Sequence, residues 1–294
     1  MRQNSLSAWA LAARPKTLPA AISPVVMGTA MAYADQGAHW LTALLALFGA
    51  LMIQIGTNLA NDYFDHKKGK DTHQRLGPTR VTQAGLVSDR GMRIAISVVF
   101  GAAFLAGIYL VYRAGWPIVI IGLLSLLFGL IYTAGPFPLA YVGIADLFAF
   151  LFFGPIALAG SYYAQTLTMN WTVLVAGLAP GCFSLALLTV NNLRDVDEDR
   201  GTRKRTLIVR MGKTYGRYQY LGSLIGAAII PLLLWNIRPE HAGVLITLLM
   251  VFFAIPAIRG IFGGATGRAL NHTLALTGRT QLIYTLLFIT GWLL

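Results

Sequence analysis

The sequence predicts an all-α, polytopic membrane protein of about nine transmembrane helices with a cytoplasmic N-terminus. Three observations predict it. The 294 residues are 56% hydrophobic and 12% charged, about half the charge of an average soluble domain. Apolar runs of about 17 to 22 residues recur along the chain, each long enough to cross a hydrocarbon core of about 30 Å. With the N-terminus inside, all but Arg113 and Arg238 of the 23 Lys and Arg fall on the cytoplasmic side, as the positive-inside rule requires. No period-2 alternation supports a barrel.

The expected spans run Leu18–Tyr33, Leu41–Ala60, Met92–Tyr112, Pro117–Ala134, Val142–Tyr163, Val173–Leu193, Tyr218–Trp235, Ala242–Ile258 and Leu274–Leu294. The first follows Arg14 and Lys16 and ends near "AYA" at Ala32–Ala34, which imitates a signal peptide. Pro19 and Pro24 interrupt it, and its removal would undo the charge parity, so it reads as a true first helix. The last span contains Arg279, and only the stretch after Gln281 is cleanly apolar. Prolines such as Pro117, Pro155, Pro180, Pro231 and Pro256 are expected to start, end or kink spans. The chain reads as one integral-membrane domain over residues 1–294.

The outer connections are short, whereas two inner ones, Asp62–Gly91 and Arg194–Arg217, are long and charged. They carry eight of the eleven acidic residues: Asp62, Asp65, Asp71, Asp89, Asp195, Asp197, Glu198 and Asp199. The third inner segment, Arg259–Thr273, has no acid. Chemistry is therefore expected at the cytoplasmic face, built from the first two segments. The net charge of +12 follows from this topology and suits an anionic lipid or substrate; no nucleic acid is implied. The single Cys182 lies in an apolar span and excludes an intramolecular disulfide.

The two charged segments echo one another. One reads "NLANDYFDHKKGKD" from Asn58, the other "NNLRDVDEDRGTRKRTL" from Asn191. Residues three or four apart share a helical face, so Asn58, Asp62 and Asp65 form one stripe and Asn191, Asp195 and Asp199 another. If the stripes face each other, four carboxylates converge and repel. Mg²⁺ resolves the repulsion, because it binds through few carboxylates and completes its shell with water and phosphate oxygens. Nearby Lys and Arg supply further phosphate contacts. The pattern fits a molecule that is diphosphate at one end and hydrocarbon at the other, such as an isoprenyl diphosphate.

These motifs resemble the two aspartate-rich motifs of the UbiA-type intramembrane prenyltransferases, and the resemblance runs from Arg14 to the last span. It implies nine transmembrane helices around a central cavity and Mg²⁺-dependent transfer of a polyprenyl chain from polyprenyl diphosphate to an aromatic acceptor. "RPKTLPA" at Arg14–Ala20, "RLGPTRVTQAG" at Arg75–Gly85, "YTAGPFPLAYVGIAD" at Tyr132–Asp146 and "NNLRDVDEDRGTRKRTLIVRMGK" at Asn191–Lys213 are most similar to the branch acting on 1,4-dihydroxy-2-naphthoate in menaquinone synthesis. In that branch attack at the carboxylate-bearing carbon is accompanied by loss of CO₂, giving demethylmenaquinone in its quinol form. The resemblance places the protein in the cell inner membrane, with its site at the cytoplasmic face.

On this resemblance Asp62, Asp65, Asp195 and Asp199 are the catalytic, metal-binding acids. The position four residues after Asp62 holds His66, which leaves Asp65 and Asp71 as candidates for the second ligand of the first motif. Asn58, Asn191 and Asn192 complete or orient the shell. Lys16, Lys68, Arg75, Arg80 and Lys204 are candidate phosphate contacts. Tyr132, Phe137, Tyr141, Phe148, Phe152 and Phe153 could wall a dry cavity around an allylic cation, or simply pack. Asp146 could bind the acceptor or accept its proton, or cap a helix. Two alternatives stay open: another acceptor such as 4-hydroxybenzoate, and, from a different class, a cation-coupled membrane transporter.

Overall fold

A computed structural model describes residues 4–67, 76–77, 79–132, 138–141, 143–201 and 204–294 of the protein. Among them regular structure is helical throughout. The helices are α1 (Leu6–Ala13), α2 (Pro19–Ala34), α3 (Trp40–Lys67), α4 (Asp89–Ala114), α5 (Trp116–Ile131), α6 (Ala145–Phe152), α7 (Pro155–Thr166), α8 (Trp171–Arg200), α9 (Leu207–Met211), α10 (Lys213–Ile237), α11 (Met250–Phe262) and α12 (Leu270–Leu293). Short 3₁₀ turns join several of them, and the longest, Pro239–Leu249, leads into α11.

The boundaries follow from capping chemistry. Ser88 accepts from the Gly91 N–H at the start of α4, and Asn170 from the Val173 N–H at the start of α8, each satisfying a donor that a helix start leaves over. Pro19, Pro117 and Pro155 sit in the first turns of α2, α5 and α7, where no N–H is needed.

Each expected span corresponds to a helix or a pair of helices, with differences. Among the described residues six stretches are long and apolar enough to cross a membrane by themselves. A seventh is the pair Leu6–Thr17 and Pro19–Ala34, bent by 59°. By length and composition the described helices thus account for six or seven crossings, against the nine expected from the sequence. The α5 helix, at 16 residues, is shorter than these stretches, and α12 carries an exposed Arg279 and a buried side with Thr277, Thr280, Gln281 and Thr285. The fifth span is broken at Gly154 into α6 and α7. A methyl on Gly154 would lie 2.5 Å from Phe150 O and 2.6 Å from Gly181 Cα. Only glycine lets the break press directly on α8.

The α8 helix is the central post: 72% of its apolar stretch is buried, against 11% for α4. One large core joins α8 to α2, α7, α10, α11 and α12 through Phe183, Tyr220, Tyr284, Phe288 and their neighbours. The α3, α4 and α5 helices stand to one side. A smaller cluster, in which Leu59 and Met92 meet Ala8, Ala12, Val81 and Val87, fixes α1 and the segment after α3 against them. Between the two groups lies a cavity of about 970 Å³.

Candidate active site

The cavity has a polar mouth and an apolar interior. Asp65, Asp195, Asp199, Asn61, Asn191 and Asn192 line the mouth, with Arg14, Lys16, Arg80 and Lys204 among them. Deeper in, Phe104, Ile118, Phe128, Phe148, Phe152 and Ile156 form the wall. The rings of Phe128 and Phe148 lie 4.5 Å apart between centroids, and those of Phe128 and Phe152 5.0 Å, within the range of favourable aromatic pairs. Three carboxylates against four cationic side chains leave the described part of the mouth net positive, which suits an anion.

The acids are held by partners. Arg80 Nη2 lies 2.5 Å from Asp65 Oδ2, and the Tyr141 hydroxyl donates to Asp65 Oδ1 at 2.9 Å. Burial, then the Asp65 carboxylate, pushes the Tyr141 phenol above its ordinary value, so it stays protonated and keeps donating. Arg194 grips Asp195 through Nε and Nη2, both at 2.7 Å, a bidentate pair. Lys204 Nζ is 2.9 Å from Asp199 Oδ1 and lies over the Tyr141 ring, 5.6 Å from its centroid. Among the described residues no three His, Cys, Asp or Glu side chains are grouped closely enough to hold a metal ion on their own.

The expected site residues divide as follows. Asp65, Asp195, Asp199, Asn58, Asn191, Asn192, Lys16, Arg80, Lys204 and Tyr132 all line the cavity. Asn58 also reaches back, donating to Ala13 O at 2.9 Å and Thr17 Oγ1 at 3.2 Å. It thereby fixes the bend that carries Arg14 and Lys16 into the mouth. Asp62 is not among the lining residues; its carboxylate accepts from the backbone N–H groups of Val81 and Thr82. Asp146 is buried in the first turn of α6 and accepts from Gln219 Nε2 at 3.0 Å. Its neighbours Ala145, Phe148 and Ala149 form the wall in its place. Lys68, Asp71 and Arg75, with Phe137, lie outside the described residues.

Two residues enter that the charge pattern did not single out. Asn61 lines the mouth one turn before Asp65. It stands inside the quoted motif but outside the Asn58–Asp62–Asp65 stripe. Asn271 comes from the acid-free third segment: its Oδ1 accepts from Arg194 Nη1 and its Nδ2 donates to Leu76 O, both at 2.9 Å. An uncharged amide in a segment without acids gave no signal.

A helical bundle around one cavity, charged at the rim and apolar within, defines a class of membrane protein that takes an amphiphile by its anionic head and its hydrocarbon tail. The chain belongs to the UbiA prenyltransferase family, whose sequence profile matches residues 21–291. It is 36% identical over 282 residues to a 1,4-dihydroxy-2-naphthoate octaprenyltransferase of Mycobacterium tuberculosis, covering 96% of this chain and 95% of the relative. Identity to the Escherichia coli protein of the same description is 35%, covering 97% and 94%. A UbiA homologue from Archaeoglobus fulgidus, solved bound to GPP and Mg²⁺, shares the fold with a TM-score of 0.70 at 12% identity, over 98% of this chain and 100% of that one.

Proposed function

We propose that this protein transfers a polyprenyl chain from its diphosphate to 1,4-dihydroxy-2-naphthoate, with release of diphosphate and CO₂, as one integral-membrane domain over residues 1–294. The observation that carries the reading is the cavity with an acid–base mouth and an aromatic interior. The naphthoate acceptor is supported by the descriptions of relatives at 35–36% identity. The distribution of Lys and Arg supports a mouth opening toward the cytoplasm from the inner membrane.

The donor set fits Mg²⁺: Asp65, Asp195 and Asp199 with the Asn61, Asn191 and Asn192 amides present hard oxygen atoms to one cavity end. These residues would hold the ion, and when bound it supplies charge neutralisation to the departing diphosphate. Arg80, Lys204, Lys16 and Arg14 bind phosphate oxygens, while the aromatic wall keeps water from the allylic carbon. The bond from that carbon to diphosphate oxygen breaks and a bond to the carboxylate-bearing ring carbon forms. The carbon–carboxylate bond then breaks, its electron pair returns to the ring, and CO₂ leaves.

The test is a membrane assay with Mg²⁺, a long prenyl diphosphate and either 1,4-dihydroxy-2-naphthoate or 4-hydroxybenzoate. Prenylated, decarboxylated product from the naphthoate is expected. It should be abolished by chelation and reduced by at least about a hundredfold in Asp65→Ala and Asp195→Ala, the loss typical of removing one stabilising group from a transition state. Product from 4-hydroxybenzoate alone would overturn the acceptor and keep the site.

A further inference from the structure

We propose that Asp62 is a positioning residue that buckles the segment 79–87 across the mouth of the cavity, and that it acts on the reaction through Arg80. Asp62 is 1% exposed, and its two carboxylate oxygens accept separately from Thr82 N (3.0 Å, Oδ1) and Val81 N (2.9 Å, Oδ2). A buried carboxylate without partners would be costly; here both oxygens are satisfied by backbone.

The bonds fall at the start of a tight turn, in which Ala84 N–H donates to Arg80 O, Gly85 N–H to Thr82 O and Leu86 N–H to Val81 O. Asp62 thus serves this turn as an N-cap serves a helix, from a residue about twenty positions away. The apolar side of the segment is fixed as well, with Val81 and Val87 buried against Leu59 and Met92. What the segment brings to the cavity is Thr79 and Arg80. One turn of α3 therefore holds the segment twice: Asp62 takes its backbone and Asp65 takes the Arg80 guanidinium. Leu76, just upstream, is tied through Asn271 to Arg194 and so to Asp195 of the second motif.

The inference rests on the proposed diphosphate site only for its kinetic consequence. The structural consequence can be read with neither metal nor substrate present. Hydrogen exchange on the full-length protein in detergent, without metal or substrate, should show the amides of residues 81–87 exchanging at least about tenfold faster in Asp62→Asn than in the wild type. The asparagine can accept only one of the two bonds, so Asp62→Ala should exchange faster still, while the rest of α3 is unchanged. In the assay above, Asp62→Asn should raise KM for the prenyl diphosphate and leave the half-saturating Mg²⁺ concentration within about twofold, a smaller change than one lost charge-assisted bond produces. Asp65→Asn should raise that concentration. Unchanged exchange over residues 81–87, or an Mg²⁺ requirement that rises in Asp62→Asn as far as in Asp65→Asn, overturns the proposal. Should Asp62→Ala fail to fold, Asp62→Asn decides the matter, and an inactive preparation still yields the exchange result.

Discussion

Tyr141 touches both acidic motifs at once. Its hydroxyl donates to Asp65, its ring lies under Lys204, which pairs with Asp199, and its carbonyl accepts from Arg205 N–H. A hydrogen bond to a charged group contributes about 1.5–3 kcal/mol, so Tyr141→Phe should lower kcat/KM by about tenfold or more. The ring and its contact with Lys204 remain, so the thermal midpoint should fall by only a few degrees and the protein should stay folded at the assay temperature. Steady-state kinetics beside a melting curve separates the two effects; a fall in stability with unchanged kcat/KM would contradict this role. Much at this scale is legible in the sequence. Asp195 and Asp199, four apart, do share the cavity face of α8. The first motif is harder because its acids are three apart. At 3.6 residues per turn, Asn61 and Asp65 lie about 40° apart, while Asp62 stands about 60° beyond Asp65. That rotation turns Asp62 from the cavity toward the segment 79–87. Spacing alone says that the acids are neighbours; which flank faces the cavity depends on how α3 is rotated in the bundle.

At the scale of elements, the break between α6 and α7 is the least expected feature and the most exacting. A methyl at Gly154 would meet the backbone at Phe150, Gly177 and Gly181, and backbone cannot move aside as a side chain does. Gly154→Ala should cost about 1–3 kcal/mol by overpacking and should lower the yield of folded protein in detergent. Gly122→Ala is the control, since a methyl there has no atom within 4 Å. Equal melting behaviour of the two variants would contradict the close approach. The sequence marks this place only through Pro155, which is equally compatible with a kink in a continuous span. The close approach of α8 that makes the break necessary involves Gly177 and Gly181, more than twenty residues away. By contrast, Pro180 stays inside a continuous α8, and Ser184 Oγ donates to Pro180 O at 2.9 Å. The same residue type follows a break in one span and is accommodated in the next.

Over the whole molecule, polarity runs along the bundle axis. Tyr33, Trp40, Tyr112, Trp116 and Trp171 are exposed at the end away from the acidic motifs, where amphipathic rings meet a membrane interface. Arg113 and Arg238, the two arginines that the sequence sets apart from the rest, lie there too: Arg113 donates to Ala164 O and Gln165 O at the end of α7, and Arg238 pairs with Asp35 and Glu240. The cavity follows the same axis. From Asp65 to Gly49 the lining face of α3 descends sixteen residues, about 24 Å at 1.5 Å per residue. Gly49 is buried, yet a methyl there meets nothing within 4 Å, so a larger side chain would project into the cavity far below the charged mouth. If the hydrocarbon tail extends along this wall, Gly49→Leu should shorten the longest chain accepted without touching the chemistry at the mouth. Turnover of a two-unit geranyl diphosphate should stay within about twofold of wild type, since the mouth keeps every polar contact. Turnover of an octaprenyl diphosphate should fall by about a hundredfold, as expected when remote binding energy is lost from the reacting centre. The product profile of a mixed-substrate assay reads this directly. Equal loss for both chains would place the tail elsewhere, whereas selective loss of the long one would make this face of α3 the measure of chain length.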